Sequence, residues 1–206
     1  MYNLVSPPQA RSKKALERFL NVAADLLANN TFEEAGIAQI AQLAQSSVGT
    51  FYRLLGDKDI LLYAVHARFV EESQVAIDQH IEQLLNSELD AYGRIECFIR
   101  TLIDLFRQRE GLLRALIRRS SADLQFRQRF HQLNAYIGQA FCRIALAQPG
   151  AIQHPQPSQA ADLAGHLLLA SMNYYTMTGS LGATAAEDIP GELSRLVLSY
   201  LQVPKN

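Results

Sequence analysis

The 206-residue sequence predicts an all-α protein of about nine helices. Three observations carry that prediction. Apolar residues recur at i, i+3, i+4 and i+7 along nearly the whole chain. Strand-like alternation is nearly absent. Clusters of Gly, Pro, Asn and Asp break the pattern into segments of helical length. With 49% hydrophobic and 19% charged residues, the chain has enough apolar material to bury a core.

The first helix is expected over residues 10–29, with Leu16, Phe19, Leu20, Ala23, Ala24 and Leu27 on one face. Asn29 and Asn30 stop it, because asparagine tolerates left-handed backbone. Gly36 opens a second helix whose apolar set is Ile37, Ile40, Ala41 and Ala44. Ser46 and Ser47 precede a third, where a serine hydroxyl accepts a hydrogen bond from a free backbone N–H. Its apolar set is Val48, Phe51, Tyr52 and Leu55. Helices of about two turns are marginal alone, so both must pack on the first. Gly56-Asp57 makes the next turn, and Asp57 is a good N-cap for a long helix over residues 58–85.

Further helices are expected near residues 89–108, 111–119, 123–148, 157–181 and 190–202, with Gly111 dividing two of them. Residues 148–157 form a loop, since its three prolines are incompatible with a helix interior. Residues 182–191 form another, and Pro190 suits the first turn of the last helix. The helix before it carries two apolar stripes. Leu163, Leu167, Ala170, Tyr174 and Met177 form one; Leu168, Leu169, Met172 and Tyr175 form the other. A helix apolar over so much of its circumference is buried on two sides. One side packs on its own core. The other, with Leu196 and Tyr200 of the last helix, suits a second copy in a four-helix dimer interface; the plain alternative is a monomer with a well-covered C-terminal hairpin.

The bulk numbers exclude several classes. No run of about 18 uncharged apolar residues indicates a membrane span. The first ten residues lack the charged and apolar regions of a signal peptide. Cys97 and Cys142 are too few for a disulfide framework and read as buried and inert, so a cytoplasmic setting is expected. The net charge of −1 does not advertise nucleic-acid binding, but charge is uneven. Arg11, Lys13, Lys14 and Arg18 against Glu17 leave a local excess of three positive charges. Seven arginines between 107 and 129 against Glu110 and Asp123 leave an excess of five, which is ordinarily a solvated face. No glycine-rich phosphate loop, His-Glu-x-x-His or nucleophile elbow is present, so no enzyme is expected. Histidines 66, 80, 131, 154 and 166 are scattered; His66, His131 and His166 could meet in a fold, but lone histidines are more often surface or satisfied core residues, so no metal is expected and no cofactor is implied.

Two short helices joined by a tight turn on a third make a shape that presents a recognition helix to the DNA major groove. The motifs are Phe19-Leu20-x-x-Ala23-Ala24-x-x-Leu27, then Ile40-Ala41-x-x-Ala44, then Ser47-Val48-Gly49-Thr50-Phe51-Tyr52, then Lys58-Asp59-x-Leu61. In this order and spacing they resemble the TetR family of bacterial transcriptional regulators, densely over residues 11–61. Over residues 62–206 only length, helical pattern and helix order are similar. There are departures. The family usually has Thr at the position of Gly36, Gly-Val at Gln45-Ser46, and an aromatic or His followed by Phe at Leu54-Leu55. A lysine is common where Val48 stands. If the turn needs a positive φ, Gln45 costs more there than glycine.

The resemblance implies a helix-turn-helix DNA-binding domain over residues 1–57 and an effector-binding and dimerisation domain over residues 58–206. It implies a homodimer acting on double-stranded DNA with a near-palindromic site, the recognition helices standing about 34–36 Å apart or a multiple of that. It implies a repressor released by a small effector. Thr50, Tyr52 and Ser47 are expected at the DNA backbone, with Lys13 and Lys58 on phosphates. Gly49 permits close approach. Arg53 is placed to read a guanine, and Gln39, Gln42 and Gln45 to read adenine or bond the backbone. The plain alternatives are surface glutamines, a surface arginine and a tyrosine packed in the core. Phe69, Phe98, Phe106, Phe141, Met172, Tyr175, Tyr136, Tyr174 and Met177, with Asn173 as a polar handle, are expected to line an apolar effector pocket or simply fill the core. Leu167, Tyr174, Leu196 and Tyr200 are expected at the dimer interface. A second reading is a helical ligand- or protein-binding dimer without DNA binding.

Overall fold

The computed structural model describes residues 7–205, with side chains from residue 11 onward. The stretch read for a signal peptide lies mostly outside them. Among the described residues there are nine helices: α1 (Pro7–Ala28), α2 (Ile37–Leu43), α3 (Val48–Leu55), α4 (Lys58–Leu85), α5 (Ala91–Gln108), α6 (Glu110–Ala122), α7 (Leu124–Ala145), α8 (Pro157–Thr178) and α9 (Ile189–Leu201). The only β pairing among them is an isolated bridge between Leu181 and Thr184. No described helix is long and apolar enough to cross a membrane. The chain divides into two compact units, one ending at Val70 and one beginning at Glu71, with α4 continuous from one into the other.

In the first unit α1, α2 and α3 pack mutually around Phe19, Ala23, Ile40, Ala41, Phe51 and Leu55, all nearly solvent-free. Side-chain caps set the starts of α3, α4, α5 and α7. Ser47 Oγ accepts from Thr50 N–H at 3.1 Å, and Asp57 Oδ1 from Ile60 N–H at 2.7 Å. Asp90 and Asp123 do the same for α5 and α7. Asn30, at φ +57°, turns the chain after α1.

In the second unit α7 packs on α5, α6 and α8, and α9 on α5 and α8. Phe98, Ile99, Leu116, Phe126 and Phe141 are among its fully enclosed side chains. Gly165 sits where α8 approaches α7 closely; a Cβ there would lie 3.2 Å from Phe141 Cδ1.

The division between α5 and α6 falls at Arg109, not at Gly111, which lies inside α6. Arg109 at φ −124°, ψ 23° ends one helix and starts the next, a conformation that requires no glycine. α8 stops at Thr178 rather than 181, because Gly179 adopts φ +73° and its N–H bonds Tyr175 C=O at 2.7 Å. Most of the arginine-rich segment is spent internally. Arg127 donates to Ser120 C=O and Ser121 C=O at the end of α6. Arg114 pairs Glu110 and donates to Thr176 C=O, Arg107 donates to Ala186 C=O, and Arg109 pairs Glu72.

Candidate nucleic-acid interface

The turn between α2 and α3 is held from three directions. Ala44 N–H closes α2 on Ile40 C=O, and Ser46 N–H reaches back to Ala41 C=O at 2.9 Å. Gln45 between them adopts φ +49°, the left-handed conformation that glycine enters freely and glutamine does not. From α1, Arg18 Nε donates to Ala44 C=O at 2.8 Å and satisfies a carbonyl at the end of α2. The Phe19 and Phe51 rings meet edge to face at 5.3 Å and set α3 against α1.

The four-residue apolar set expected to pack α3 divides. Phe51 and Leu55 are buried, but Val48 is 40% and Tyr52 54% exposed. A helix of eight residues resting on α1 and α2 has one buried stripe, and these two lie beside it. At 100° per residue, Val48, Tyr52, Gly49 and Arg53 follow one another around about 140° of α3's outer surface. All four are exposed. Gly49 is not required by packing: a Cβ there would meet only Ser47 Oγ, at 3.9 Å.

Of the remaining predicted DNA-facing residues, Lys13, Gln39, Gln45 and Ser47 are exposed, and Thr50 and Lys58 are half-buried. Several already have partners. The Ser47 and Thr50 hydroxyls are joined at 2.9 Å. Arg53 Nη1 donates to Ser12 Oγ at 3.4 Å, which leaves most of its donors open. Lys58 Nζ donates to Glu33 C=O at 2.9 Å and lies 4.8 Å from the centre of the Phe32 ring. α2 starts at Gly36 without a side-chain cap. Sequence reasoning missed Arg18 and Ser12 as the groups that seat the turn and Arg53. Each acts on a partner 26 or 41 positions away, and no local pattern reports such a pairing.

The predicted effector residues do not share one environment. Phe69 belongs to the first unit and is buried there. In the second unit Phe98 and Phe106 are core side chains. Phe98 stacks on His80 and packs 6.0 Å from the Phe141 ring. Burial of the Tyr136 hydroxyl, with the Asp78 carboxylate adding to it, pushes its phenol up to about 12. Asn173 Oδ1 is buried with no hydrogen-bond partner among the described residues. Met172 is fully enclosed and Tyr175 half-buried. Tyr174 and Met177 are exposed, on the outer stripe of α8 with Leu163 and Leu167. Leu196 of α9 is exposed as well, and Tyr200 is half-buried against His154.

A separate cleft of about 240 Å³ lies between the start of α5, the 148–151 loop and the segment after α9, lined by Asp90, Tyr92, Gln148 and Val203. None of the predicted effector residues lines it. Among the described residues no group of three or more His, Cys, Asp or Glu is placed to hold a metal. Cys142 is half-buried, and burial, then the Asp162 carboxylate, pushes its thiol up.

No protein-family model matches the chain, and no curated protein matches it. Solved structures do. A protein from Mesorhizobium loti described as a TetR-family transcriptional regulator aligns over 93% of this chain and 95% of its own, with a TM-score of 0.69 and 23% identity. The TetR-family regulator PfmR from Thermus thermophilus aligns over 92% of this chain and all of its own, with a TM-score of 0.65 and 17% identity. The transcriptional regulator FadR from Bacillus subtilis, solved with stearoyl-CoA, aligns over 90% and 95%, with a TM-score of 0.61 and 16% identity. The nine-helix arrangement, with its helix-turn-helix ahead of a larger helical unit, is the fold of the TetR-family transcriptional regulators.

Proposed function

We propose that this chain is a sequence-specific DNA-binding transcriptional regulator that acts as a homodimer and represses until a small apolar effector releases it. The observation that carries the reading is the outer face of α3. Four consecutive positions around that helix are exposed, on a scaffold tied down by Arg18, Phe19 and the Ser47 cap. α3 enters the major groove, Arg53 reads a base edge, and Lys13 and Lys58 neutralise phosphates. DNA recognition falls to residues 1–57, and effector binding and dimerisation to residues 58–206.

The dimer face is the outer stripe of α8 with Leu196 of α9. Leu163, Leu167, Tyr174 and Leu196 are each close to half exposed, an arrangement a soluble helix pair tolerates poorly without a partner. The effector lies inside the second unit, where Asn173 Oδ1 supplies a buried acceptor without a donor. The acyl chain carried by the FadR structure supports an apolar ligand on this fold. Release follows if the effector binds better to a conformation whose recognition helices are wrongly spaced.

The test is selection of random duplex DNA by the purified protein at low salt, with sequencing of the bound pool. A near-palindrome is expected, bound with an affinity that falls steeply with salt. Lys58→Ala weakens binding to every sequence and lowers the salt slope, and Arg53→Ala relaxes preference at one position. A ligand-binding dimer without DNA binding is the competing reading. It is favoured by the uncapped start of α2 and by Arg53 and Lys58, the only cations between residues 36 and 58, each having an intramolecular partner. A folded dimer that gives no saturable DNA complex at low salt establishes it.

A further inference from the structure

We propose that Val48, flanked by Tyr52, reads the 5-methyl group of a thymine in each half-site, so that the operator is recognised in large part through apolar contact. The inference rests on the DNA-binding reading above and specifies its base preference. Val48 is the first residue of α3 and stands at one end of the exposed arc, with Tyr52 one turn later on the same side. Leu43, the last residue of α2, is 52% exposed on the other side of the turn. Three exposed apolar side chains therefore bracket one helix-turn-helix.

Phe51 and Leu55 supply α3's buried contacts, and although the Tyr52 ring meets the Phe51 ring edge to face at 5.8 Å, Tyr52, Val48 and Leu43 all remain at least 40% exposed. The polar groups around them are largely committed. Ser47 and Thr50 bond each other and the start of α3, and Lys58 is held over Phe32 and Glu33. Arg53 keeps open donors, at the far end of the arc from Val48. Next to Val48, Gly49 leaves a gap that no neighbour fills, so a flat surface can approach the backbone there. The major groove admits an α-helix, and the thymine methyl is the one apolar group that base edges offer in it. An apolar, short, branched side chain beside a gap on the helix that enters the groove matches that group. It does not match the acceptor pair of guanine, which a lysine or arginine at the same position would select.

The experiment uses the full-length chain and its selected site. Each thymine is replaced in turn by deoxyuridine, which keeps base pairing and removes only the methyl. At one thymine per half-site, the loss of one buried methyl weakens binding by about fourfold, and by about fifteenfold when both half-sites are changed. Val48→Ala is expected to bind the thymine site about as weakly as the native chain binds the deoxyuridine site, and to show no further loss on deoxyuridine. Alanine is the best helix former and Val48 is exposed, so this variant keeps its fold, which its circular dichroism and melting check. A site whose affinity is indifferent to every deoxyuridine replacement overturns the inference while leaving the regulator reading intact. So does a deoxyuridine penalty that survives unchanged in Val48→Ala. Failure to enrich any site is a different result and overturns the DNA-binding reading itself.

Discussion

Gln45 is the residue at which stability and family pattern part most clearly. At φ +49° it holds a conformation that costs a residue with a Cβ about 1–2 kcal/mol relative to ordinary helix geometry. Gln45→Gly is therefore expected to stabilise the first unit by about 1 kcal/mol, after the larger entropy loss of glycine is taken off. A rise in the urea midpoint at constant m value is the signature. Gly49 has the opposite character. Its backbone is helical and an added Cβ would meet only Ser47 Oγ at an ordinary 3.9 Å, so Gly49→Ala should raise stability by about 0.5–1 kcal/mol. The same variant should lower affinity for the selected site, because the added methyl stands where the groove must approach. A variant more stable and equally tight on DNA would remove α3's outer face from the interface. Ser47→Ala, by contrast, loses the cap of α3 and costs about 1 kcal/mol.

At the scale of elements, some helix starts were legible, but the Asp90 and Asp123 caps of α5 and α7 were not. Ser47, Asp57 and Pro190 mark beginnings in the sequence and occupy those places in the fold, and Asn30 marks the end of α1. The α5–α6 break was not legible, because Arg109 makes it with backbone dihedrals that almost any residue adopts. Periodicity identified α3 as a helix but could not say which of its apolar residues faced inward. That depends on where α1 and α2 cross it, so the sequence groups Val48 with the packed residues and leaves Tyr52 between the DNA backbone and the core. The candidate DNA face was legible as a list of residues, but not the bonds that seat it, such as Arg18 to Ala44.

His80, on α4, illustrates how two packed helices make a titration that neither encodes. Burial lowers its pKa below the usual 6.5, against opposing hydrogen bonds from the Gln83 side chain and the Cys97 backbone. The unfolded chain then takes up the proton first as pH falls. Stability is full above pH 6.5 and declines below it until the folded His80 also protonates. Urea midpoints measured between about pH 7.5 and 5 should show this decline in the native chain and a flatter profile in His80→Gln.

For the whole molecule, the outer stripe of α8 is the feature with the widest reach. Leu167→Glu places a charge in its middle and should convert the dimer to a folded monomer in sedimentation, with circular dichroism unchanged. A native chain that sediments as a monomer at high concentration would remove the dimer from the proposal. The buried stripe of the same helix, with Leu168, Leu169 and Met172, is what keeps the variant folded. If the chain dimerises as proposed, the second copy binds only the native state, and the protein acts as its own stabilising ligand. Its melting temperature should climb with its own concentration, by mass action, until the stripe is saturated. Folding yield and abundance would then reinforce each other: a cell that makes few copies holds a less durable protein than one that makes many.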